Sequence, residues 1–371
     1  MLKIINVCGA RPNFMKIAPL LRAYRAYPQV QPLLVHTGQH YDDNMSDLFF
    51  RQLSIPEPDL NLEVGSASHA VQTSEIMRRF EPVVLEHRPD WVVVVGDVNS
   101  TIACALVAVK LGVRAAHVEA GLRSFDRTMP EEINRLLTDA ISDLLFVSEP
   151  SGLDNLRREG IADEKVHFVG NVMIDTLRAS LEAAQRLAVL EQFRLAPKHY
   201  NVVTLHRPSN VDDPQVLSQI ADALDAIQQD LPTLFPMHPR TRSNLGRIGL
   251  ADRFAAMKRL RIVEPLGYLE FLRLMADAAV VLTDSGGIQE ETTILGVWCL
   301  TLRENTERPV TIHSGTNMLV GTDAQRIVAA YRQRRATPLN RPPVPEKWDG
   351  RAAERIAAIL ADAGGRQGVR P

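Results

Sequence analysis

The sequence predicts an α/β protein made of two Rossmann-like, doubly wound domains that face a central cleft. Strand-like apolar runs alternate with helix-like stretches along nearly all of its 371 residues, which is the pattern of parallel sheets covered by helices. Hydrophobic residues make up 45% of the chain, and a globular chain of this length exceeds one compact core. We therefore predict an N-terminal domain from residues 1–170 with 346–371, and a second domain from 171–345.

The predicted strands form two series, each separated by helices. The first series comprises Ile4–Val7, Leu33–His36, Trp91–Val95, Ala115–Val118 and Leu144–Val147. The second comprises Asn201–Leu205, Thr233–Met237, Arg261–Val263, Ala279–Leu282 and Val297–Leu300. A Pro-rich segment at 342–345 then breaks the alternation, and Arg351–Leu360 predicts a final amphipathic helix.

Composition excludes several classes of partner. Lys and Arg total 42 against 44 for Asp and Glu, so the net charge of -2 gives no reason to expect nucleic acid or an anionic membrane. The apolar runs fall far short of the roughly 20 residues of a membrane span, and the first strand follows Lys3 directly, so a secretory signal is not expected. Cys8, Cys104 and Cys299 predict reduced, buried, non-nucleophilic thiols in a cytoplasmic protein.

The most specific local signal is the turn after Ala279–Leu282. Ser285, Gly286 and Gly287 run from this strand into a helix, and the two glycines allow backbone N–H groups to approach a phosphate at the positive end of the helix dipole. Glu291 falls about one turn further on, where it could bind hydroxyl groups such as those of a ribose. The alternative is that the glycines serve packing only.

Carboxylates also follow strands, and ligands of open α/β sheets bind beyond the carboxyl ends of the strands. Asp97 follows Trp91–Val95 and Glu119 follows Ala115–Val118, so both are candidates for proton exchange near neutrality. Asp97 could instead cap the helix that starts near Asn99. Glu131 could be a third carboxylate of this group, or could simply complement a helix dipole.

Basic residues occupy two further strand ends. Arg11 and Lys16 begin the first helix, where both could bind one anionic group, although a solvated helix face is the alternative. His206 ends the first strand of the second series and could equally be a loop histidine with local partners. The histidines show no zinc-type spacing, so no metal site is predicted.

Taken in order, these motifs resemble those of the non-hydrolysing UDP-N-acetylglucosamine 2-epimerases over essentially the whole chain. The segment at 9–12 is similar to the family's Gly-Thr-Arg-Pro. The family-like blocks that follow are His117–Arg123 (HVEAGLR), Pro130–Arg135, Thr283–Glu291 and Thr306–Pro309.

The resemblance implies a glycosyltransferase-B-like fold and a UDP-sugar substrate, with no metal and no nicotinamide cofactor. It implies reversible 2-epimerisation through elimination of UDP and its re-addition to 2-acetamidoglucal. The catalytic group would be Asp97, Glu119 and Glu131, with unassigned acid–base roles, and His206, which holds the diphosphate. Carried over in the same way, the substrate contacts would be Arg11, Lys16, Arg308 and the Ser285, Gly286 and Gly287 turn for the diphosphate, Glu291 for the ribose, and Phe271 with the backbone near Leu266 for the uracil.

The chain departs from the family pattern at Pro208–Asn210 and at Tyr41–Asp42, regions that touch substrate choice and regulation. A UDP-diacetamido-uronic acid epimerase, a hydrolysing epimerase that releases N-acetylmannosamine, a sugar transferase of the same fold and a non-catalytic UDP-sugar sensor therefore stay open as alternatives.

The resemblance also implies a second, activating UDP-N-acetylglucosamine site. Its residues would correspond to Gln39, Glu132, Arg207 and His238. Asp42 would add a negative charge to that site, and Ser66–Ser68 offers no arginine where the family uses one. Because both changes disfavour a diphosphate, we predict weak or absent activation. We also expect a homodimer.

Overall fold

The computed structural model describes residues 1–38, 52–53, 55–339 and 344–365, apart from the side chains of Arg11 and Pro12. The chain divides into two compact units. Unit 1 comprises Met1–Ala179 and Glu346–Pro371, and unit 2 comprises Ser180–Pro345.

Unit 1 contains a seven-stranded parallel sheet. Its strand order is β3-β2-β1-β4-β5-β6-β7, so the direction of winding reverses between β1 and β4, which is where ligands bind in doubly wound sheets. The strands are β1 (Leu2–Cys8), β2 (Val30–His36), β3 (Leu60–Asn61), β4 (Trp91–Val95), β5 (Arg114–Ala120), β6 (Leu144–Val147) and β7 (Val166–Phe168).

Unit 2 repeats this topology in a six-stranded parallel sheet. Its order, β10-β9-β8-β11-β12-β13, reverses between β8 and β11. The strands are β8 (Asn201–Thr204), β9 (Thr233–Pro236), β10 (Leu260–Val263), β11 (Val280–Thr283), β12 (Trp298–Thr301) and β13 (Asn317–Leu319).

Helices connect the strands of both sheets. Those before β8 are α1 (Arg11–Tyr24), α2 (His69–His87), α3 (Asn99–Lys110), α4 (Pro130–Ile141), α5 (Pro150–Arg158), α6 (Val172–Gln185) and α7 (Val189–Gln192), with a 3₁₀ turn at Asp163–Lys165. Those after β8 are α8 (Pro208–Val211), α9 (Pro214–Asp230), α10 (Pro239–Ile248), α11 (Ala251–Ala256), α12 (Tyr268–Asp277), α13 (Gly286–Leu295), α14 (Val310–His313), α15 (Ala324–Ala336) and α16 (Ala352–Gly365).

The sheets are held by apolar residues on both faces, as expected for parallel strands. All of β4 is buried, and its Val92 and Val94 pack with Phe80 of α2. In unit 2, Leu282 of β11 packs with Phe235 in a comparable cluster.

The C-terminal helix α16 is tied to unit 1 by a carboxylate. Asp175 of α6 accepts hydrogen bonds from the backbone N–H groups of Ala352 (3.2 Å) and Ala353 (2.7 Å), which are orphan donors at a helix start. Burial raises the pKa of Asp175 to about 6, although these hydrogen bonds oppose the shift.

The ten predicted strands are all present, with ends shifted by up to three residues. The strands that sequence reasoning missed are β3, β7 and β13, which have two or three residues each, too few for a hydrophobic period to emerge. The prediction that its strand ends at Val118 is wrong, because β5 continues to Ala120. The final helix begins at Ala352, one residue after the predicted start.

Two further expectations concern membranes and cysteines. Over the described ranges, no helix combines the length and apolar character of a membrane span. Cys8, Cys104 and Cys299 are buried free thiols, as predicted. Burial raises the pKa of all three thiols, that of Cys299 to about 11, which disfavours the nucleophilic thiolate.

Candidate active site

In unit 1, the ends of β1 and β4 are joined by the side chain of Asn13. Its Oδ1 accepts the N–H groups of Gly9 and Ala10, both at 3.1 Å, and its Nδ2 donates to the Val95 carbonyl at 3.1 Å. Because one buried amide satisfies three backbone groups, the two strand ends at the switch point are fixed relative to each other.

Glu119 is held in a strained position at the end of β5. Its φ is +76°, a left-handed conformation that is costly for a residue with a Cβ. The β5–β6 register shifts between Val118 and Ala120, so Glu119 sits on a bulge that redirects its side chain. Glu119 is buried and forms an ion pair with buried Lys16.

Asp97 is positioned by helix α4. Its carboxylate accepts Nη1 of Arg135 at 2.5 Å, and its carbonyl accepts Nδ2 of Asn134 at 2.9 Å. Asp97 does not cap α3: the N-cap is Val98, and among the described residues no side chain caps that end. Glu131 is half-buried in the first turn of α4, one turn before the residues that hold Asp97.

Glu132 is occupied by groups of unit 1. Its carboxylate accepts the N–H and Oγ of Ser124 (both 3.0 Å), the N–H of Phe125 (2.9 Å) and two guanidinium nitrogens of Arg135 (3.0 and 2.6 Å). Burial would raise the pKa of Glu132, but these donors outweigh it and lower the pKa. The carboxylate therefore holds the 124–125 turn, in which Phe125 has a φ of +60° and is 75% exposed.

In unit 2, the predicted anion-binding turn opens helix α13. Ser285 is its N-cap without a capping side chain in the described residues, while the Ser285 N–H donates to Oγ1 of Thr283. A Cβ built on Gly286 would lie 2.6 Å from Nη1 of Arg308. The absent side chain of Gly286 therefore lets a guanidinium approach the positive end of the helix, a combination suited to a phosphate.

The strand end at β8 is organised by Asp284, which is fully buried. It accepts the N–H groups of His206 and Arg207 (3.0 and 2.9 Å) and lies 2.8 Å from Nδ1 of His206. Burial would raise the pKa of Asp284, but His206 and these N–H groups lower it. The His206 side chain keeps 44% exposure, so its ring is fixed and still accessible.

Three arginines share one buried carboxylate next to this turn. Glu307 lies 3.4 Å from Arg207, 2.8 Å from Arg303 and 3.2 Å from Arg308, while Arg308 also contacts Glu290 at 2.6 Å. The cationic groups outnumber these two acids, so the cluster favours an additional anion.

The residues predicted to contact the nucleoside are linked by Tyr268. Its hydroxyl donates to Oε1 of buried Glu291 at 2.9 Å. Tyr268 lies between partly buried Leu266 and Phe271 in the chain. Burial raises the pKa of Glu291 to about 8, with Tyr268 opposing and Glu290 reinforcing the shift.

The remaining predicted residues are distributed as follows. The His238 ring lies 6.3 Å from that of His206 and its Nδ1 accepts the Arg240 N–H. The Arg11 side chain, Gln39 and Asp42 lie outside the described residues. Lys16, predicted as a phosphate contact, is paired with Glu119 here, and its role toward substrate stays a prediction. No group of three or more possible metal ligands occurs in the part of the chain that is described.

Sequence reasoning missed several residues that organise the site. Arg303 follows β12, so the same strand-end argument could have found it. Asp284 was within the quoted Thr283–Glu291 segment but received no role. Arg135 and Asn13 act from helices, where no local pattern separates a buried anchor from a solvated polar residue.

Comparisons with known proteins agree with this geometry. The profile of the UDP-N-acetylglucosamine 2-epimerase family matches residues 22–361. UDP-N-acetylglucosamine 2-epimerase of Methanocaldococcus jannaschii is 42% identical over 97% of this chain and 99% of its own length. UDP-2,3-diacetamido-2,3-dideoxy-D-glucuronate 2-epimerase of Pseudomonas aeruginosa is also 42% identical, over 89% and 92%.

The structural comparison gives the same assignment. The crystal structure of the M. jannaschii UDP-GlcNAc 2-epimerase in complex with UDP-GlcNAc and UDP has a TM-score of 0.92 at 42% identity, covering 97% of this chain and all of that one. The predicted fold class is confirmed, and the chain belongs to the UDP-N-acetylglucosamine 2-epimerase family.

Proposed function

We propose that this protein interconverts UDP-N-acetylglucosamine and UDP-N-acetylmannosamine without hydrolysis. The observation that carries the proposal is Glu119, a buried carboxylate with a φ of +76° that is ion-paired with Lys16. Strain of this kind persists where the surrounding structure enforces it, and it concentrates at functional sites.

The reaction is an elimination followed by an addition. A base takes the C2 proton, the C2–H electron pair forms the C1=C2 double bond, and the C1–O bond breaks with its pair remaining on UDP. Addition reverses these steps with the proton delivered to the opposite face of C2. Asp97, Glu119 and Glu131 supply the acid–base groups, because all three are tied to the strand ends or the helix that surround the β1–β4 switch point.

Unit 2 would hold UDP during both halves. The α13 N-terminus and Arg308 would bind the diphosphate, with His206 as a further donor. Glu291 and the 266–271 segment would bind the nucleoside. A positively charged site of this kind stabilises the departing diphosphate, which is the larger electrostatic demand of the elimination.

Product analysis tests the proposal. We expect UDP-N-acetylglucosamine to give UDP-N-acetylmannosamine, with free sugar and UDP as minor species. The variants Asp97→Asn, Glu119→Gln and Glu131→Gln should each slow turnover by ~10²–10⁴, whereas Glu164→Gln on an exposed turn serves as the matched control. Free N-acetylmannosamine as the main product, or turnover of only a UDP-diacetamido-glucuronate, would replace this assignment with the corresponding alternative.

We further propose that a second UDP-sugar is not required. Glu132 already accepts hydrogen bonds from Ser124, Phe125 and Arg135, and a diphosphate placed near this ionised carboxylate would be repelled. The reaction from UDP-N-acetylmannosamine alone should start without a lag. A lag that traces of UDP-N-acetylglucosamine abolish would contradict this.

We also propose a homodimer formed through helix α4. Ile133 and Leu137 are 38% and 50% exposed and lie four residues apart on one helix face, with exposed Phe125 on the preceding turn. Light scattering should give a dimer for the wild type and a monomer for Leu137→Arg. An unchanged dimer in that variant would place the interface elsewhere.

A further inference from the structure

His117 is a buried residue of β5 whose two ring nitrogens both face oxygen atoms. Nδ1 lies 2.6 Å from Oδ1 of Asp139, and Nε2 lies 2.7 Å from the carbonyl oxygen of Gly96. Its relative exposure is 0%. A histidine that only fills space in a core does not need two hydrogen bonds of this length.

The partners of His117 define its protons. A carbonyl oxygen can only accept, so Nε2 carries hydrogen. Asp139 accepts further hydrogen bonds from the Gly121 N–H (3.0 Å) and from Arg123 (2.7 Å). Burial would raise the pKa of Asp139, but His117 and Arg123 outweigh it and lower the pKa. Asp139 is therefore ionised, so Nδ1 donates as well and the ring is an imidazolium.

The surrounding charges balance this buried cation. Arg123 is bound by Glu159 through two hydrogen bonds of 2.8 and 2.6 Å. His117 and Arg123 thus face Asp139 and Glu159, two cations against two anions. On the other side of the strand end, Lys16 and Glu119 neutralise each other. A buried charge is tolerated when it is paired and hydrogen-bonded in this way.

The contacts of His117 connect the backbone segments that carry two catalytic carboxylates. Gly96 immediately precedes Asp97, and the Gly96 N–H donates to Val118 of β5 at 3.0 Å. A Cβ on Gly96, whose φ is +69°, would lie 2.9 Å from the Lys16 ammonium and 3.6 Å from a Glu119 carboxylate oxygen. Through Asp139, His117 also holds Gly121, two residues beyond Glu119.

We propose that His117 is a positioning residue of the epimerase reaction, a doubly protonated imidazolium that fixes the Gly96–Asp97 turn against the strand that bears Glu119. The inference rests on the proposed function and adds to it a residue that touches no substrate. A displacement of about 1 Å in a catalytic group can cost ~10²-fold in rate, so the loss of this link should slow chemistry rather than weaken binding.

Two substitutions separate the two hydrogen bonds. In His117→Gln the amide nitrogen reaches the position of Nε2 and can still donate to the Gly96 carbonyl. In His117→Asn the amide nitrogen takes the position of Nδ1, which keeps the Asp139 contact and loses the Gly96 contact. The matched controls are His167→Gln and His167→Asn, on β7 of the same sheet.

Hydrogen exchange at C2 of the substrate, KM and the Kd for UDP would be measured for each variant. We expect kcat to fall about tenfold or less in His117→Gln and ~10²-fold in His117→Asn. KM and the Kd for UDP should change less than about twofold, because the predicted UDP contacts lie in unit 2. A merely structural role predicts equal losses that follow the melting temperature; that result, or the reverse order of the variants, would overturn the inference.

Nitrogen-15 NMR of the His117 ring provides a readout that does not need turnover. We expect both nitrogens to be protonated at pH 7. A neutral ring at pH 7 refutes the inference about His117 alone, whereas a wild-type protein without C2 exchange refutes the proposed function alone.

Discussion

Replacing Arg135 by methionine should destabilise unit 1 because it removes the cation from a buried pair. Arg135 and Glu132 each have 2% side-chain exposure, whereas Asp97 has 27%. Removing one partner of a buried ion pair typically costs ~3–5 kcal/mol. Glu132 keeps its donors from Ser124 and Phe125, so we expect the lower end, about 3 kcal/mol.

The neutral double variant makes this reasoning testable. In Arg135→Met with Glu132→Gln, no buried carboxylate is left without its cation, so about 1–2 kcal/mol should be recovered relative to Arg135→Met. Arg157→Met is the matched control, because its partner Asp154 is 3.7 Å away and both side chains are more than half exposed. Such pairs contribute little.

Urea unfolding followed by tryptophan fluorescence provides the assay. Trp91 and Trp348 report on unit 1 once Trp298 of unit 2 is replaced by phenylalanine. C2 exchange should fall by ~10² as well, since Asp97 loses the group that orients it. An Arg135→Met protein within about 1 kcal/mol of wild type, or a double variant no more stable than the single one, would refute the reasoning.

Two further predictions concern the diphosphate site and the C-terminal helix. Gly286→Ala places a Cβ 2.6 Å from Nη1 of Arg308, so calorimetry should show an approximately tenfold weaker Kd for UDP, about 1.4 kcal/mol; Gly246→Ala, with no atom within 4 Å, is the control, and equal affinities would contradict this. The folded-state pKa of about 6 for Asp175 lies above its ordinary 3.8, so its contribution to stability is fully present below about pH 3.8 and is lost as the pH rises through 6. Asp175→Asn should flatten the melting temperature between pH 4 and pH 8, whereas exposed Asp163→Asn should not; an unchanged pH profile in Asp175→Asn would show that another group titrates.

The fold was predictable because its signal is local. Runs such as Trp91–Val95 are buried on both faces and read as continuous apolar stretches, and the Ser285–Gly287 turn follows its strand directly. The two-residue strand β3 has no such signal, since it forms only by pairing with β2. Its existence depends on tertiary contact rather than on sequence period.

The site was predictable as a set of strand ends and less so as a network. The chain order shows that Asp97 and Glu119 follow neighbouring strands, and the structure confirms that β4 pairs with β5. The bulge at Glu119 and the anchors Arg135 and His117 depend on which helix packs against which strand. That information lies in long-range packing, so residue type and spacing do not reveal it.

The most direct test of the central claim is NMR of UDP-N-acetylglucosamine incubated with the protein in heavy water. Proton removal at C2 and its return from solvent predict deuterium at C2 in both UDP-N-acetylglucosamine and UDP-N-acetylmannosamine, with the UDP linkage intact. UDP-N-acetylmannosamine that forms without deuterium at C2, or a substrate that stays unlabelled and unchanged, would contradict the account.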